Sequence, residues 1–162
     1  GTVYMRGSPA QPIRVVSADS STGWIGLHFA TAEHTMMIRH VIVEGAFRNV
    51  LGRSSGVISQ SQFRNNFYGL WVEEPGKVRI DSTVFEGNRY ALFVDRGNLD
   101  IAFSRIQDNA FGLGLEKGAR IQGSGNFFQS NRESSLRDSA QSFQEFNHSI
   151  GQTVLRLIEA RF

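Results

Sequence analysis

Between residues 35 and 130 the apolar positions follow a period of two, in runs of three to five residues broken by polar turns, and no helical period is present. The runs recur. Val78-Arg79-Ile80 is followed by Leu99-Asp100-Ile101 and Ala119-Arg120-Ile121, and Leu70-Trp71-Val72 by Leu92-Phe93-Val94 and Leu113-Gly114-Leu115. A third kind of run ends on a large apolar residue: Phe63, Phe85, Ile106 and Phe128. Three residues after each of these stands an asparagine, Asn66, Asn88, Asn109 and Asn131, at gaps of 22, 21 and 22. Self-similarity at such a period marks a repeat architecture.

A unit of about 21 residues with three short strands predicts an all-β parallel β-helix. The Leu-x-x-Leu-x-Leu frame of leucine-rich repeats is missing. Coil stacked on coil places equivalent residues roughly 4.8 Å apart. Phe63, Phe85, Ile106 and Phe128 then form an internal column, and the four asparagines a ladder whose amides bond between coils at a bend. A weaker isoleucine column, Ile38, Ile58, Ile80, Ile101 and Ile121, extends the repeat upstream. There Val43-Glu44-Gly45-Ala46 takes the place of Phe85-Glu86-Gly87-Asn88 without the asparagine. Two earlier strands, Pro12–Val16 and Gly26–Phe29, bring the expectation to about six coils over residues 1–135, the first incomplete. Residues 136–162 belong to the same domain. They read as a polar loop followed by a capping segment, Thr153 to Phe162, that covers an apolar end. The N-terminal side shows no such cap, which fits a fragment continuing upstream or an end that associates.

The Gly7-Ser8-Pro9 to Pro12-Ile13 stretch, the Gly23-Trp24-Ile25-Gly26-Leu27-His28-Phe29 stretch and the Asn-x-x-Gly-Leu-x-Val turns resemble bacterial right-handed parallel β-helix proteins of the pectin-lyase-like superfamily. The resemblance covers roughly residues 5–135. It implies a right-handed solenoid and a secreted or cell-envelope location. It does not choose among the lyases, hydrolases, epimerases, adhesins and phage proteins of that group. The Asn-Thr-Asp, Asp-Asp and His-Gly set of polygalacturonase-like hydrolases is absent. So are the Arg-x-Pro-x-x-Arg segment of pectate lyases and the Asp-Pro-His motif of mannuronan epimerases.

Composition adds limits. The chain of 162 residues holds 17 basic and 15 acidic residues, a formal charge of +2. That balance, without a basic run, gives no reason to expect a nucleic-acid partner. No stretch approaches the length of a membrane span. With no cysteine, thiol catalysis and disulfides are excluded, as fits many envelope and secreted proteins. Gly1 in place of an initiator methionine fits a processed chain or a fragment.

Candidate chemistry gathers on the outer side of the Leu-x-Val strand. Leu70 and Val72 point inward, so Trp71 and its stacked equivalent Phe93 point outward, with Gly114 beyond and His28 and Leu51 in a looser alignment upstream. Tyr68, Tyr90 and Phe111 form a second column. Aromatic rows suit stacking on sugar rings, or simply cover the coil. Glu73, Asp95 and Glu116 form an acidic column that suits an acid–base pair of glycoside chemistry or a Ca²⁺ ion. The neighbouring Arg96 and Lys117 favour a solvated charge ladder instead, and no cofactor is implied. Arg79, Asp100 and Arg120 read as another outward column facing an acidic polymer or pairing between turns. His28, His34, His40 and His148 lack metal-ligand spacing. No phosphate loop and no Gly-x-Ser-x-Gly elbow is present.

Three functions remain open at this point. The first is a non-catalytic domain presenting a rigid face to polysaccharide or protein. The second is a polysaccharide lyase or glycoside hydrolase, and the third a segment of a fibre or tailspike assembling through an open end.

Overall fold

A computed structural model of the chain describes residues 1–18, 23–29, 31, 33–51, 54–116 and 118–136. The expected loop and cap beyond residue 136 lie outside the described residues, as do Lys117 and His148. The chain runs through β1 (Thr2–Arg6), β2 (Ile13–Val16), β3 (Thr35–Arg39), β4 (Val41–Glu44) and β5 (Arg48–Leu51). It continues through β6 (Ser55–Ser59), β7 (Gln62–Arg64), β8 (Tyr68–Glu73), β9 (Lys77–Asp81), β10 (Val84–Glu86) and β11 (Tyr90–Asp95). The last described strands are β12 (Asn98–Ala102), β13 (Arg105–Gln107), β14 (Phe111–Leu115), β15 (Arg120–Ser124), β16 (Phe127–Gln129) and β17 (Glu133–Leu136).

From β3 onward every third strand joins the same sheet. The first sheet orders β1-β3-β6-β9-β12-β15, the second β2-β4-β7-β10-β13-β16 and the third β5-β8-β11-β14-β17, with all strand pairs parallel. The fold is an all-β parallel β-solenoid of about four turns with three parallel sheets.

The sheets meet at two sharp corners with a common recipe. Each corner is one residue in the left-handed region followed by one buried residue. Between the first and second sheets the left-handed residues are His40 (φ 51°), Gln60 (φ 48°), Ser82 (φ 49°), Phe103 (φ 49°) and Gly125 (φ 66°). Between the second and third they are Gly45 (φ 72°), Asn65 (φ 55°), Gly87 (φ 65°), Asp108 (φ 56°) and Ser130 (φ 52°). Asparagine, aspartate and glycine tolerate this region best, and they hold four of the five places at the second corner.

The residue after the bend turns its backbone N–H toward the interior, where water cannot pair it. At the second corner the asparagine of the next coil does so. Asn66 N–H and Nδ2–H both donate to Asn88 Oδ1, each at 3.0 Å. Asn88 donates likewise to Asn109 Oδ1 at 2.9 and 3.0 Å, and Asn109 to Asn131 Oδ1 at 3.0 and 2.9 Å. The second amide hydrogen reaches back to a strand carbonyl: Asn88 to Phe63 O at 2.9 Å, Asn109 to Phe85 O at 3.1 Å, Asn131 to Ile106 O at 2.9 Å. Asn66, Asn88 and Asn109 are buried, and Asn131 is half-buried at the far end of the ladder.

A second polar ladder, not expected from the sequence, lines the first corner. Ser61, Thr83, Ser104 and Asn126 are all buried there. Val41 N–H donates to Ser61 Oγ at 3.2 Å, Thr83 N–H to Ser104 Oγ at 3.1 Å and Ser104 N–H to Asn126 Oδ1 at 3.0 Å. Each hydroxyl passes its own hydrogen to the carbonyl two residues back, as in Thr83 to Asp81 O at 2.9 Å.

The interior is filled by apolar columns at matching registers. Val43, Phe63, Phe85, Ile106 and Phe128 align on the second sheet, and the Phe63 and Phe85 rings stack with centroids 5.2 Å apart. Leu70, Leu92 and Leu113 align on the third sheet, as do Val72, Val94 and Leu115. Full burial of each such side chain contributes roughly 1.5–3 kcal/mol.

Two expected columns are corrected. Ile38, Ile58, Ile80 and Ile101 align, but the fifth place is Gly123, and Ile121 lies beside Leu99. Arg120 therefore pairs with Asn98, which in turn pairs with Lys77, and the column of Arg79 and Asp100 continues to Gln122. A slip of two residues keeps every side chain on its own face, so alternation alone does not separate the two registers. Leu51 lies beside Val72 and not Trp71, because the register shifts between Arg48 and Val50.

On the outer side of the second sheet Glu44 accepts from Arg64 Nη2 at 3.0 Å and from Asn65 Nδ2 at 3.1 Å, with Arg14 at 3.8 Å. The hydrogen bond from Asn65, then Arg64, holds its carboxyl below the ordinary value against the opposing pull of burial.

Two expectations follow. Replacing Asn88 by alanine leaves Asn66 N–H unpaired in the interior and removes the amide's bond to the Phe63 carbonyl, and lowers stability by on the order of 1–3 kcal/mol in urea denaturation. The Glu44 carboxylate, with its folded pKa lowered, stabilises the fold above its unfolded pKa and ceases to do so as pH falls through the folded value. The stability gap between wild type and Glu44→Gln is thus open at neutral pH and closes on acidification; a constant gap would contradict it.

Candidate functional site

The outer face of the third sheet carries the most distinctive chemistry, and strand alternation puts it there. On β8, Leu70 and Val72 are buried while Tyr68, Trp71 and Glu73 are half-buried and face outward. On β11, Leu92 and Val94 are buried while Tyr90, Phe93 and Asp95 repeat the pattern. Parallel register then brings like beside like: Tyr68 beside Tyr90 beside Phe111, Trp71 beside Phe93, Glu73 beside Asp95.

The tyrosine column is a true stack. Ring centroids are 4.9 Å apart for Tyr68 and Tyr90 and 4.8 Å for Tyr90 and Phe111, with planes within 14°. Trp71 meets Phe93 edge to face at 4.7 Å and Tyr68 at 4.8 Å. The two columns therefore form one continuous aromatic plaque, in which each ring is partly covered by its neighbours and leaves an edge or a face to solvent. Burial, with Tyr90 beside it, raises the Tyr68 phenol pKa above its ordinary value.

Two arginines join the plaque. Arg48 lies 5.0 Å over the Trp71 ring and Arg89 lies 5.1 Å over Phe67. Such cation–π contacts contribute roughly 0.5–1 kcal/mol at exposed sites. Arg48 Nε and Trp71 Nε1 are buried without a hydrogen-bond partner, so two donors on this face stand unpaired.

Gly114 extends the Trp71–Phe93 row only as a gap. A Cβ there would lie 2.6 Å from Phe93 Cδ2, so the Phe93 ring rests on the glycine. The row ends with Phe93 among the described residues.

At the far edge of the face, Glu73 and Asp95 align, and Glu116 follows on the next coil, its N–H on Val94 O at 2.9 Å. Asp95 pairs with the adjacent Arg96 at 3.1 Å. Among the described residues no three His, Cys, Asp or Glu side chains are grouped to hold a metal ion. The histidines separate: His28 contacts Arg48 O at 3.1 Å, His34 contacts Thr31, and His40 occupies a first-corner bend.

Several residues of this face escape a reading of the sequence. Trp24 pairs with Ala46 as an isolated parallel bridge and donates Nε1–H to Glu44 O at 2.9 Å. Phe47 and Phe67 meet at a tilt, 5.1 Å apart, beside the second corner, and Phe67 touches Tyr68 at 4.9 Å. The signal for Phe47 and Phe67 was present, since both follow the ladder position directly. Arg89, Ala110 and Arg132 hold the equivalent places later and hide the column.

Comparison of the chain with family models, with curated proteins and with solved structures finds no match.

Proposed function

We propose that this chain is a non-catalytic β-helix module that binds polysaccharide through the outer face of its third sheet. The observation that carries the reading is the continuous plaque of Tyr68, Trp71, Tyr90 and Phe93 on the outer face of a parallel sheet, with Arg48 over the Trp71 ring. Aromatic edges and faces offer apolar contact to the C–H side of sugar rings. Spacing along the solenoid axis repeats at roughly 4.8 Å, so an extended polymer meets similar groups coil after coil.

The finer features of the fold belong to the same proposal. The solenoid is right-handed, in keeping with the strong preference of parallel β-crossovers for that hand. Counting the incomplete first one, it has about six coils, and it is of the pectin-lyase-like type. Such a module suits a secreted or cell-envelope protein.

The alignment of Glu73 with Asp95 supports a second reading, a lyase or glycoside hydrolase. Carboxyl groups roughly 5 Å apart suit a retaining mechanism. The pairing of Asp95 with Arg96 weighs against it.

The test is a glycan array, acidic polysaccharides included, followed by Trp71→Ala. Binding of a defined polymer is expected, with at least about tenfold weaker binding by the variant at unchanged thermal stability. Turnover of the bound polymer, abolished in Asp95→Asn with binding retained, would favour the enzyme. A blank array would overturn the binding reading.

A further inference from the structure

An open notch of about 510 Å³ lies at the corner between the second and third sheets, on the N-terminal coils. Trp24, Ile25, Phe47, Asn65 and Phe67 line it, over the backbone of Gly45 and Ala46. Its volume falls within the range of small-molecule sites. Ile25 is 69 % exposed and Phe47 is 54 % exposed, an unusual degree for side chains of this size in mutual proximity.

We propose that this notch is a subsite for the ring of a neutral sugar residue. The proposal rests on the polysaccharide reading above and places one end of the binding surface here.

Three observations lead to it. The first is the platform: Phe47 and Phe67 lie together, tilted by 36° at 5.1 Å, and Arg89 occupies one side of Phe67, so Phe47 is the ring left open. The second is the polar rim. Asn65 gives one amide hydrogen to Glu44 Oε1 at 3.1 Å. None of the described residues takes up its second amide hydrogen or its Oδ1 by hydrogen bond. A side-chain amide with one spare donor and a spare acceptor suits a pair of hydroxyls. Behind it the Glu44 carboxylate is matched by Arg64 and Arg14, so the group that the rim itself presents is the neutral amide. Trp24 Nε1 is already committed to Glu44 O, so Trp24 contributes only its ring. The third is continuity. Phe67 contacts Tyr68 at 4.9 Å and Tyr90 at 5.9 Å, which joins the notch to the aromatic plaque without a break. A wholly apolar anchor from a protein partner would leave the Asn65 amide facing it unsatisfied.

The test is NMR titration of the whole chain with methyl glycosides of glucose, galactose, mannose and N-acetylglucosamine. Glucuronate serves as the anionic probe and N-acetyl-leucinamide as the apolar one. The Ile25 methyl reports on the notch, and the Met37 methyl, on the outer face of the first sheet, is the control. At least one neutral glycoside is expected to shift Ile25 and not Met37. Phe47→Ala and Asn65→Gly are each expected to weaken that binding about tenfold or more. Phe47 is exposed and glycine suits the left-handed backbone at Asn65, so both variants keep the fold.

If polymer binding depends on Trp71 while no glycoside shifts Ile25, the notch proposal is overturned and the plaque reading stands. If a glycoside shifts Ile25 while Trp71→Ala alters no polymer binding, the notch stands and the plaque reading fails. Equal or stronger binding of glucuronate or of N-acetyl-leucinamide would overturn the assignment to a neutral sugar.

Discussion

The structure depends on pairing the backbone N–H that each sharp bend turns into the interior. A corner made of one left-handed residue redirects the chain in a single step, which lets three short strands close around a narrow apolar core. It also puts a donor where no water reaches. Leaving such a group unpaired costs about 1–3 kcal/mol, and every coil repeats it at two corners. The asparagine ladder answers this at one corner and the Ser61, Thr83, Ser104, Asn126 ladder at the other. In each case the acceptor comes from the next coil, so the bond that satisfies a bend also fixes the axial register.

The functional surface inherits that register. Because Asn66, Asn88 and Asn109 align, Tyr68, Tyr90 and Phe111 do so two residues later, and Trp71 and Phe93 after them. Rings held at the coil spacing stack on one another without any contact designed for the purpose. The plaque is therefore rigid for the same reason the core is. Where the register shifts, between Arg48 and Val50, the row loses its regular continuation, and the notch opens nearby, where Trp24 meets Ala46.

Much of the fold was legible because asparagine is strongly constrained at the second corner. Its amide must accept from one coil and donate to another, and no other side chain of that length does both, so identity and spacing persist from Asn66 to Asn131. The first corner asks only for an acceptor that returns a hydrogen locally. Serine, threonine and asparagine all serve, and the ladder vanished among ordinary polar residues. The placement of Arg120 failed for a different reason: two-residue slips conserve the inward and outward faces, and only the backbone pairing of β12 with β15 decides. At the site, Tyr68, Trp71, Tyr90 and Phe93 were visible as a repeat. Trp24, Ile25 and Phe47 were not, since they belong to coils whose corner holds Ala46 or no ladder residue at all.

The claim that the ladder acts as a coupled unit is tested most directly by a double-mutant cycle on Asn88→Ala and Asn109→Ala, followed by urea denaturation. Asn88 N–H and Nδ2–H both donate to Asn109 Oδ1, so once either side chain is lost the other has less left to contribute. The account predicts a coupling energy of about 1 kcal/mol or more. Additivity to within about 0.5 kcal/mol would mean that each bend is stabilised by itself, and would contradict it.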